Sequence, residues 1–165
     1  MWHSLFQQNG MLRQLSEENK HLFFSRLLTD NKKNISTEKS LIVCGSGNNG
    51  GDGFAVARLL TEQGKHADVL FAGKEASLSE ECRCQKQIVE NMGISVFTEF
   101  PDEEYTVIID AVFGVGLCRE ITGHYKDVID WMNLQDAEKV AVDIPSGICA
   151  ATGKILGTAF RADLT

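Results

Sequence analysis

The sequence lacks several features that would assign the protein to a membrane or an export pathway. It has no apolar run of the roughly 18 residues that a membrane-spanning helix needs. Its first ten residues lack the basic start and apolar stretch of a secretory signal. Internal repeats and low-complexity tracts are also absent. With 165 residues, 43% of them hydrophobic, we expect a globular, cytoplasmic chain without a membrane partner.

Clustered basic residues are missing as well. The formal net charge is −7, and the lysines and arginines are scattered along the chain. Proteins that bind nucleic-acid backbones present a basic face, so we expect no nucleic-acid partner. A small-molecule ligand fits this charge pattern better.

The five cysteines form no C-x-x-C pair. Cys82 and Cys84 are separated by one residue, which is too close for the usual spacing of zinc ligands. Cys44 lies in an apolar run and is interpreted as a small core residue. The cysteines therefore predict neither a zinc site nor a disulfide framework.

Apolar runs alternate with helical patterns along the chain. This alternation predicts an α/β fold, a mostly parallel sheet with helices on both faces, and a ligand site at the carboxyl edge of the strands. Ser79 is a candidate N-cap. The predicted strands are 40–44, 66–72, 94–98, 105–110 and 139–143, and the predicted helices are 11–28, 54–63, 78–92 and 125–133.

The nine-residue segment GSGNNGGDG follows the first strand and predicts a phosphate-binding corner within residues 41–60. Gly45, Gly47 and Gly50 fit G-x-G-x-x-G, but no Gly-Lys-Ser/Thr of a Walker loop follows. An NAD-dependent oxidoreductase also needs an acidic residue at the end of the second strand. Asp68 instead lies near the start of that strand and Lys74 follows its end, so this alternative is less favoured.

Oxygen-bearing side chains follow three of the predicted strands. The first segment carries Asn49, and Asp110 and Asp143 each end a later strand. Ser146 lies in the turn after Asp143. Oxygens of Asn49, Asp110 and Ser146 suit a hard cation, whose identity the residue types leave open.

Three linked motifs resemble a known family. NNGGDG, the Asp-Ala-x-x-Gly-x-Gly-Leu segment that starts at Asp110, and DIPSG from Asp143 are similar to the NAD(P)H-hydrate epimerases, the YjeF N-terminal domain family. The similarity covers about residues 40–165 and includes Arg58 and the final ADLT. It implies a three-layer α/β/α Rossmann-like fold. We expect one domain over 1–165, with a helical region and connection at 1–39 and a core at 40–165 that is incomplete at its C-terminal end.

The resemblance also implies a function, namely interconversion of the R and S epimers of hydrated NADH or NADPH. It implies one K+ per subunit on Asn49, Asp110 and Ser146, a homodimer, and a hydrate dehydratase that is fused or separate. Val115 stands where the family usually has threonine. The residues implied to contact the nucleotide are Asn48, Asn49, Gly50, Gly51, Asp52, Gly114, Val115, Gly116, Leu117, Cys118, Arg119, Glu120 and Asp143.

A carboxylate beside the reacting carbon is expected to move the proton during epimerisation. Asp143 is the first candidate for this role, because it is not assigned to the cation, and Asp52 is the second. An inactive nucleotide-binding or scaffold protein of the same fold is the alternative to an enzyme.

Overall fold

The computed structural model describes residues 38–165, so the predicted helix at 11–28 lies outside the described residues. Five strands form one sheet in the order β3-β2-β1-β4-β5, and every pairing is parallel. The strands are β1 (Lys39–Cys44), β2 (His66–Phe71), β3 (Val96–Phe97), β4 (Val107–Ala111) and β5 (Glu138–Ala141). The helices are α1 (Asn48–Glu62), α2 (Glu80–Asn91) and α3 (His124–Leu134), with a short 3₁₀ helix at Glu75–Ser77.

Two hydrophobic cores lie on opposite faces of the sheet. On one face, Ile42 of β1 packs with Phe54 of α1 and Val89 of α2. On the other face, Leu41 of β1 packs with Ile129 of α3. Because both faces of the central strand are buried, its sequence is a continuous apolar run rather than an alternating one. The predicted α/β fold with a parallel sheet between two helical layers is confirmed.

Helix α1 begins earlier than the sequence predicted. The expected start at residue 54 is wrong, because the helix begins at Asn48 and contains three of the glycines. Glycine is a poor helix former, but these positions leave no room for a side chain. A Cβ at Gly50 would lie 1.9 Å from Gly45 O, and one at Gly51 would lie 3.2 Å from Cys82 Cα. The glycines therefore let the start of α1 pack tightly, and the corner loop shrinks to residues 45–47.

Other boundaries shift by smaller amounts. The side chain of Ser79 accepts a hydrogen bond from Cys82 N, so the predicted N-cap of α2 is confirmed. The third strand has two residues instead of the five predicted. β5 ends at Ala141, so Asp143 lies in the turn beyond the strand and not at its end.

The segment after β5 returns to the sheet. It forms a small antiparallel bridge between Ile148 and Ile155, and Leu164 then bridges Val140 on the free side of β5. The side chain of Asn133 on α3 holds this segment, donating to Ala159 O at 2.9 Å and accepting from Arg161 N at 2.8 Å. Within residues 38–165, every helix is too short or too polar to cross a membrane.

Candidate functional site

Asp110 is the buried carboxylate at the carboxyl edge of the sheet. It is the fourth of five residues in β4 and is 1% exposed. Its Oδ1 accepts from Ser146 Oγ at 2.7 Å and Val112 N at 3.1 Å, and its Oδ2 accepts from Ser146 N at 2.7 Å. Burial raises the pKa of Asp110 to about 6, against the opposing effect of these hydrogen bonds. Within residues 38–165 no cationic side chain forms an ion pair with it.

Ser146 connects the exits of β4 and β5. Its hydroxyl donates to Asp110, accepts from Phe113 N at 2.8 Å and lies 3.3 Å from Phe113 O. The next residue, Gly147, has φ +98°, and a Cβ there would lie 1.9 Å from Thr158 O. Only glycine fits this turn, which holds Ser146 under the end of β4.

Asp143 precedes Ser146 in the turn that follows β5. Its Oδ2 accepts a hydrogen bond of 2.9 Å from Val115 N. A Cβ at Gly114 would lie 2.6 Å from that oxygen and 3.5 Å from Asn49 Cβ and Cγ. The structure therefore brings Asn49, Gly114 and Asp143 together at this edge. The Asp110–Ser146 pair is joined to them through Phe113.

Asn49 has an unused hydrogen-bond donor in this group. It lies in the first turn of α1, whose N-cap residue Gly47 makes no side-chain capping bond. The Nδ2 atom of Asn49 is buried and has no partner within the described part of the chain. Buried donors are nearly always paired, so this amide is suited to an acceptor on a bound ligand. The positive end of the α1 dipole favours an anionic one.

The remaining predicted residues lie in different environments. Asn48 is exposed, and Gly50 and Gly51 are buried in packing contacts. Burial raises the pKa of Cys82 to about 11, and the nearby Asp52 carboxylate adds to this rise. Asp52 itself is partly buried near the start of α1.

The loop after Gly114 is only partly buried. The amide of Leu117 donates to Gly114 O at 3.2 Å, and its side chain enters the core on the α3 face. The side chains around it are exposed, and Arg119 makes no ion pair within residues 38–165. The exposed members of this predicted set are Val115, Gly116, Cys118, Arg119 and Glu120.

Aromatic side chains that the sequence did not single out lie beside this loop. The rings of Phe113 and Tyr125 are 4.8 Å apart, and His124 packs against Tyr125 at 5.6 Å. His124 Nε2 also lies 3.1 Å from Ala72 O, which fastens the start of α3 to the end of β2. No motif marks these residues, because the sequence predicts Tyr125 only as the first residue of a helix.

The donor set at this edge consists of oxygens. No group of three or more His, Cys, Asp or Glu side chains that would suit a metal ion occurs between residues 38 and 165. Besides the Asp143 carboxylate, the oxygens at this edge come from the Asp110 carboxylate, the Ser146 hydroxyl, the Asn49 side-chain amide and the Phe113 carbonyl. Such donors suit a hard cation that is satisfied by neutral oxygens.

The chain was compared with known proteins and structures. It is 42% identical over 131 residues to an NAD(P)H-hydrate epimerase of Oenococcus oeni, which covers 79% of the chain and 62% of that relative. It is 39% identical over 143 residues to the protein of the same name from Levilactobacillus brevis, covering 86% of the chain and 65% of the relative. The chain thus spans somewhat less than two thirds of the length of these relatives.

A yeast crystal structure, YNL200c, has the same fold. It superposes with a TM-score of 0.71 at 18% identity and covers 92% of this chain and 70% of the yeast chain. Residues 13–165 match the family described as YjeF-related protein N-terminus, which confirms the resemblance expected from the three motifs. The chain therefore belongs to the YjeF N-terminal family.

Proposed function

We propose that the chain is an NAD(P)H-hydrate epimerase, which interconverts the R and S epimers of hydrated NADH or NADPH. The observation that carries this proposal is the placement of Asn49 and Asp143 together beside Gly114. One supplies a buried amide donor without a partner, and the other a carboxylate held by a backbone amide. The name that the bacterial relatives share supports the same activity.

Asp143 is assigned the proton transfer. The reacting carbon carries a hydroxyl and is bonded to a ring nitrogen. Asp143 delivers a proton to the hydroxyl as water leaves, and the nitrogen lone pair stabilises the resulting cation. Water then adds to the opposite face and returns a proton to the carboxylate. No atom or electron is gained or lost over the cycle, as epimerisation requires.

The corner at the start of α1 is assigned the phosphates of the nucleotide. The glycines of residues 45–47 allow a close approach to the backbone, and the helix dipole favours negative charge. Asn49 Nδ2 supplies a further donor at this end of the helix. The loop from Gly114 to Glu120 approaches the start of α1 at Asn49 and presents mainly exposed side chains.

Potassium is assigned to the oxygens of Asn49, Asp110 and Ser146. The fit rests on Asp110, a buried carboxylate without a cationic partner in the described part of the chain. Three hydrogen-bond donors compensate part of the charge of this buried carboxylate, but within the described residues no positive charge does so. The bound cation would supply that charge at the junction of β4 and β5.

Asp68 argues against the oxidoreductase alternative. It is 4% exposed, and its Oδ2 lies 2.9 Å from His66 Nε2 and accepts from Tyr105 OH at 3.2 Å. These contacts hold it at the start of β2, away from the edge where a ribose carboxylate belongs. The homodimer, the dehydratase partner, the cytoplasmic location and the single-domain organisation stay predictions.

The test is incubation with one purified epimer of hydrated NADH or NADPH, followed by proton NMR. We expect the other epimer to appear well above the spontaneous rate. If the epimers of both hydrates interconvert only at the spontaneous rate, the chain is not an epimerase, and the inactive, nucleotide-binding alternative is favoured. A change in nicotinamide absorbance with a second substrate would favour an oxidoreductase instead.

A further inference from the structure

The end of β2 carries no carboxylate. After Phe71 the chain continues with Ala72, Gly73 and Lys74. When nucleotide phosphates lie at the start of the first helix of such a sheet, the adenosine ribose lies over the end of the neighbouring strand. An acidic residue there bonds the free 2′-hydroxyl of NAD, whereas a cationic side chain accommodates the 2′-phosphate of NADP.

Lys74 lies directly beside the phosphate corner. A Cβ at Gly73 would lie 2.7 Å from Ser46 N, so the end of β2 is in contact with the β1–α1 turn. Lys74 follows in extended conformation, with φ −117° and ψ 132°, and its side chain is exposed. Within residues 38–165 its ammonium makes no ion pair.

Arg83 is a second cation near the same point. The first turn of α2 is held to the corner by the hydrogen bond from Ser79 N to Ser46 O at 2.9 Å. Arg83 lies in this turn, and its Nη2 is 3.5 Å from Glu75 O, in the 3₁₀ helix that begins after Lys74.

Nearby acidic groups do not neutralise the two cations. The Glu75 carboxylate is bound by Lys86 Nζ at 2.9 Å. Glu80 and Glu81 lie in the first turn of α2, are exposed, and form no ion pair with Lys74 or Arg83. The Lys74 ammonium and the Arg83 guanidinium therefore have no carboxylate partner in an ion pair within residues 38–165, and both can bind a phosphate.

We propose that Lys74 and Arg83 bind the 2′-phosphate of the nucleotide, so that the chain prefers hydrated NADPH to hydrated NADH. This specificity rests on the proposed epimerase function and on the phosphate assignment at α1. The two side chains contact a part of the substrate remote from the reacting carbon. They therefore contribute binding that is equal in the ground and transition states, which lowers KM and leaves kcat unchanged.

The first test compares kcat/KM for the two hydrates. We expect the full-length chain to favour hydrated NADPH by roughly tenfold, the size of one charge-assisted contact. Lys74→Ala and Arg83→Ala should each raise KM for hydrated NADPH and leave KM for hydrated NADH unchanged. Lys65→Ala is the matched control, because Lys65 precedes β2 at the opposite edge of the sheet. Equal kcat/KM for both hydrates, or variants that weaken both equally, would overturn the proposal.

A binding measurement separates this inference from the epimerase assignment. Calorimetry with 2′-phospho-ADP-ribose and with ADP-ribose needs no catalysis. Tighter binding of the 2′-phosphorylated probe, lost in the Lys74→Ala/Arg83→Ala double variant, supports the specificity even if no epimerisation is detected. Equal affinity for the two probes contradicts it even if epimerisation is fast.

Discussion

The backbone amide of Val115 donates a 2.9 Å hydrogen bond to Asp143 Oδ2, across 28 residues of sequence. The bond fixes one oxygen of the proposed catalytic carboxylate and leaves the other oxygen out of this contact. Because the donor is a main-chain amide, valine supplies it as well as the threonine usual in the family. The exposed Val115 side chain is not needed to position Asp143.

Replacement of Gly114 by alanine tests how closely Asp143 must be positioned. The new methyl group would lie 2.6 Å from Asp143 Oδ2, whereas a methyl at Gly116 would meet nothing within 4 Å. Neither glycine has a positive φ, so alanine strains the backbone at neither position. We expect Gly114→Ala to lower kcat/KM about 100-fold, because displacing a reacting group by about 1 Å costs that much. Because a methyl at Gly116 makes no such contact with Asp143, Gly116→Ala should lower kcat/KM far less than Gly114→Ala, and equal activity of the two variants would contradict this reasoning.

Asp143→Asn removes the acid–base group with little change in shape. The amide oxygen of asparagine still accepts from Val115 N, so we expect the loop to keep its position. Catalysed exchange of the epimers should fall at least about 100-fold, the usual contribution of a general acid–base. Affinity for ADP-ribose should change little. Asp163→Asn is the control, because Asp163 accepts from Lys139 N at the far end of β5. Unchanged exchange, followed by proton NMR, would remove Asp143 from the catalytic role.

Much of the fold is predictable because a parallel strand buried on both faces appears in the sequence as a continuous apolar run. The run from Ser40 to Cys44 is buried on both faces, so its apolar character is continuous. The start of α1 was missed because the glycines at its beginning are poor helix formers. The close packing of Gly51 against Cys82 and of Gly53 against Ala111 depends on elements distant in sequence.

The site was predictable at the level of side chains but not of backbone contacts. Topology alone places Asn49, Asp110 and Asp143 at one edge of the sheet. No residue type indicates that Val115 N reaches Asp143, because every residue except proline has that donor. The proximity of Tyr125 to Phe113 also depends on how α3 packs, which the sequence pattern does not specify.

The cysteines should differ in reactivity toward an alkylating reagent. Hydrogen bonds from the Thr152 hydroxyl and from the Ala151 and Thr152 amides lower the pKa of Cys149. A lower pKa means more thiolate at neutral pH, and the thiolate is the reactive form. Burial raises the pKa of Cys82, so that thiol should stay unmodified. We expect iodoacetamide to label Cys149 faster than the exposed Cys84, as measured by mass spectrometry.

Thr152→Val is the matched variant for this reactivity. It removes the hydroxyl that contributes most to the lowered pKa, so labelling of Cys149 should slow several-fold while labelling of Cys84 stays the same. If Cys149 is labelled no faster than Cys84 in the original protein, its hydrogen bonds do not lower the pKa in solution.

Potassium should stabilise the protein through Asp110. A ligand that binds only the folded state at 100 times its Kd adds about 2.7 kcal/mol to the free energy of unfolding. We expect Tm to be higher in potassium chloride than in tetramethylammonium chloride at equal ionic strength. Asp110→Asn should abolish that difference because it removes the only formal charge among the proposed ligands. Asp68→Asn is the control, because Asp68 is also a buried carboxylate but is bonded to His66 and Tyr105. It should lower Tm in both salts and preserve the difference between them, whereas an undiminished potassium effect in Asp110→Asn would place the cation elsewhere.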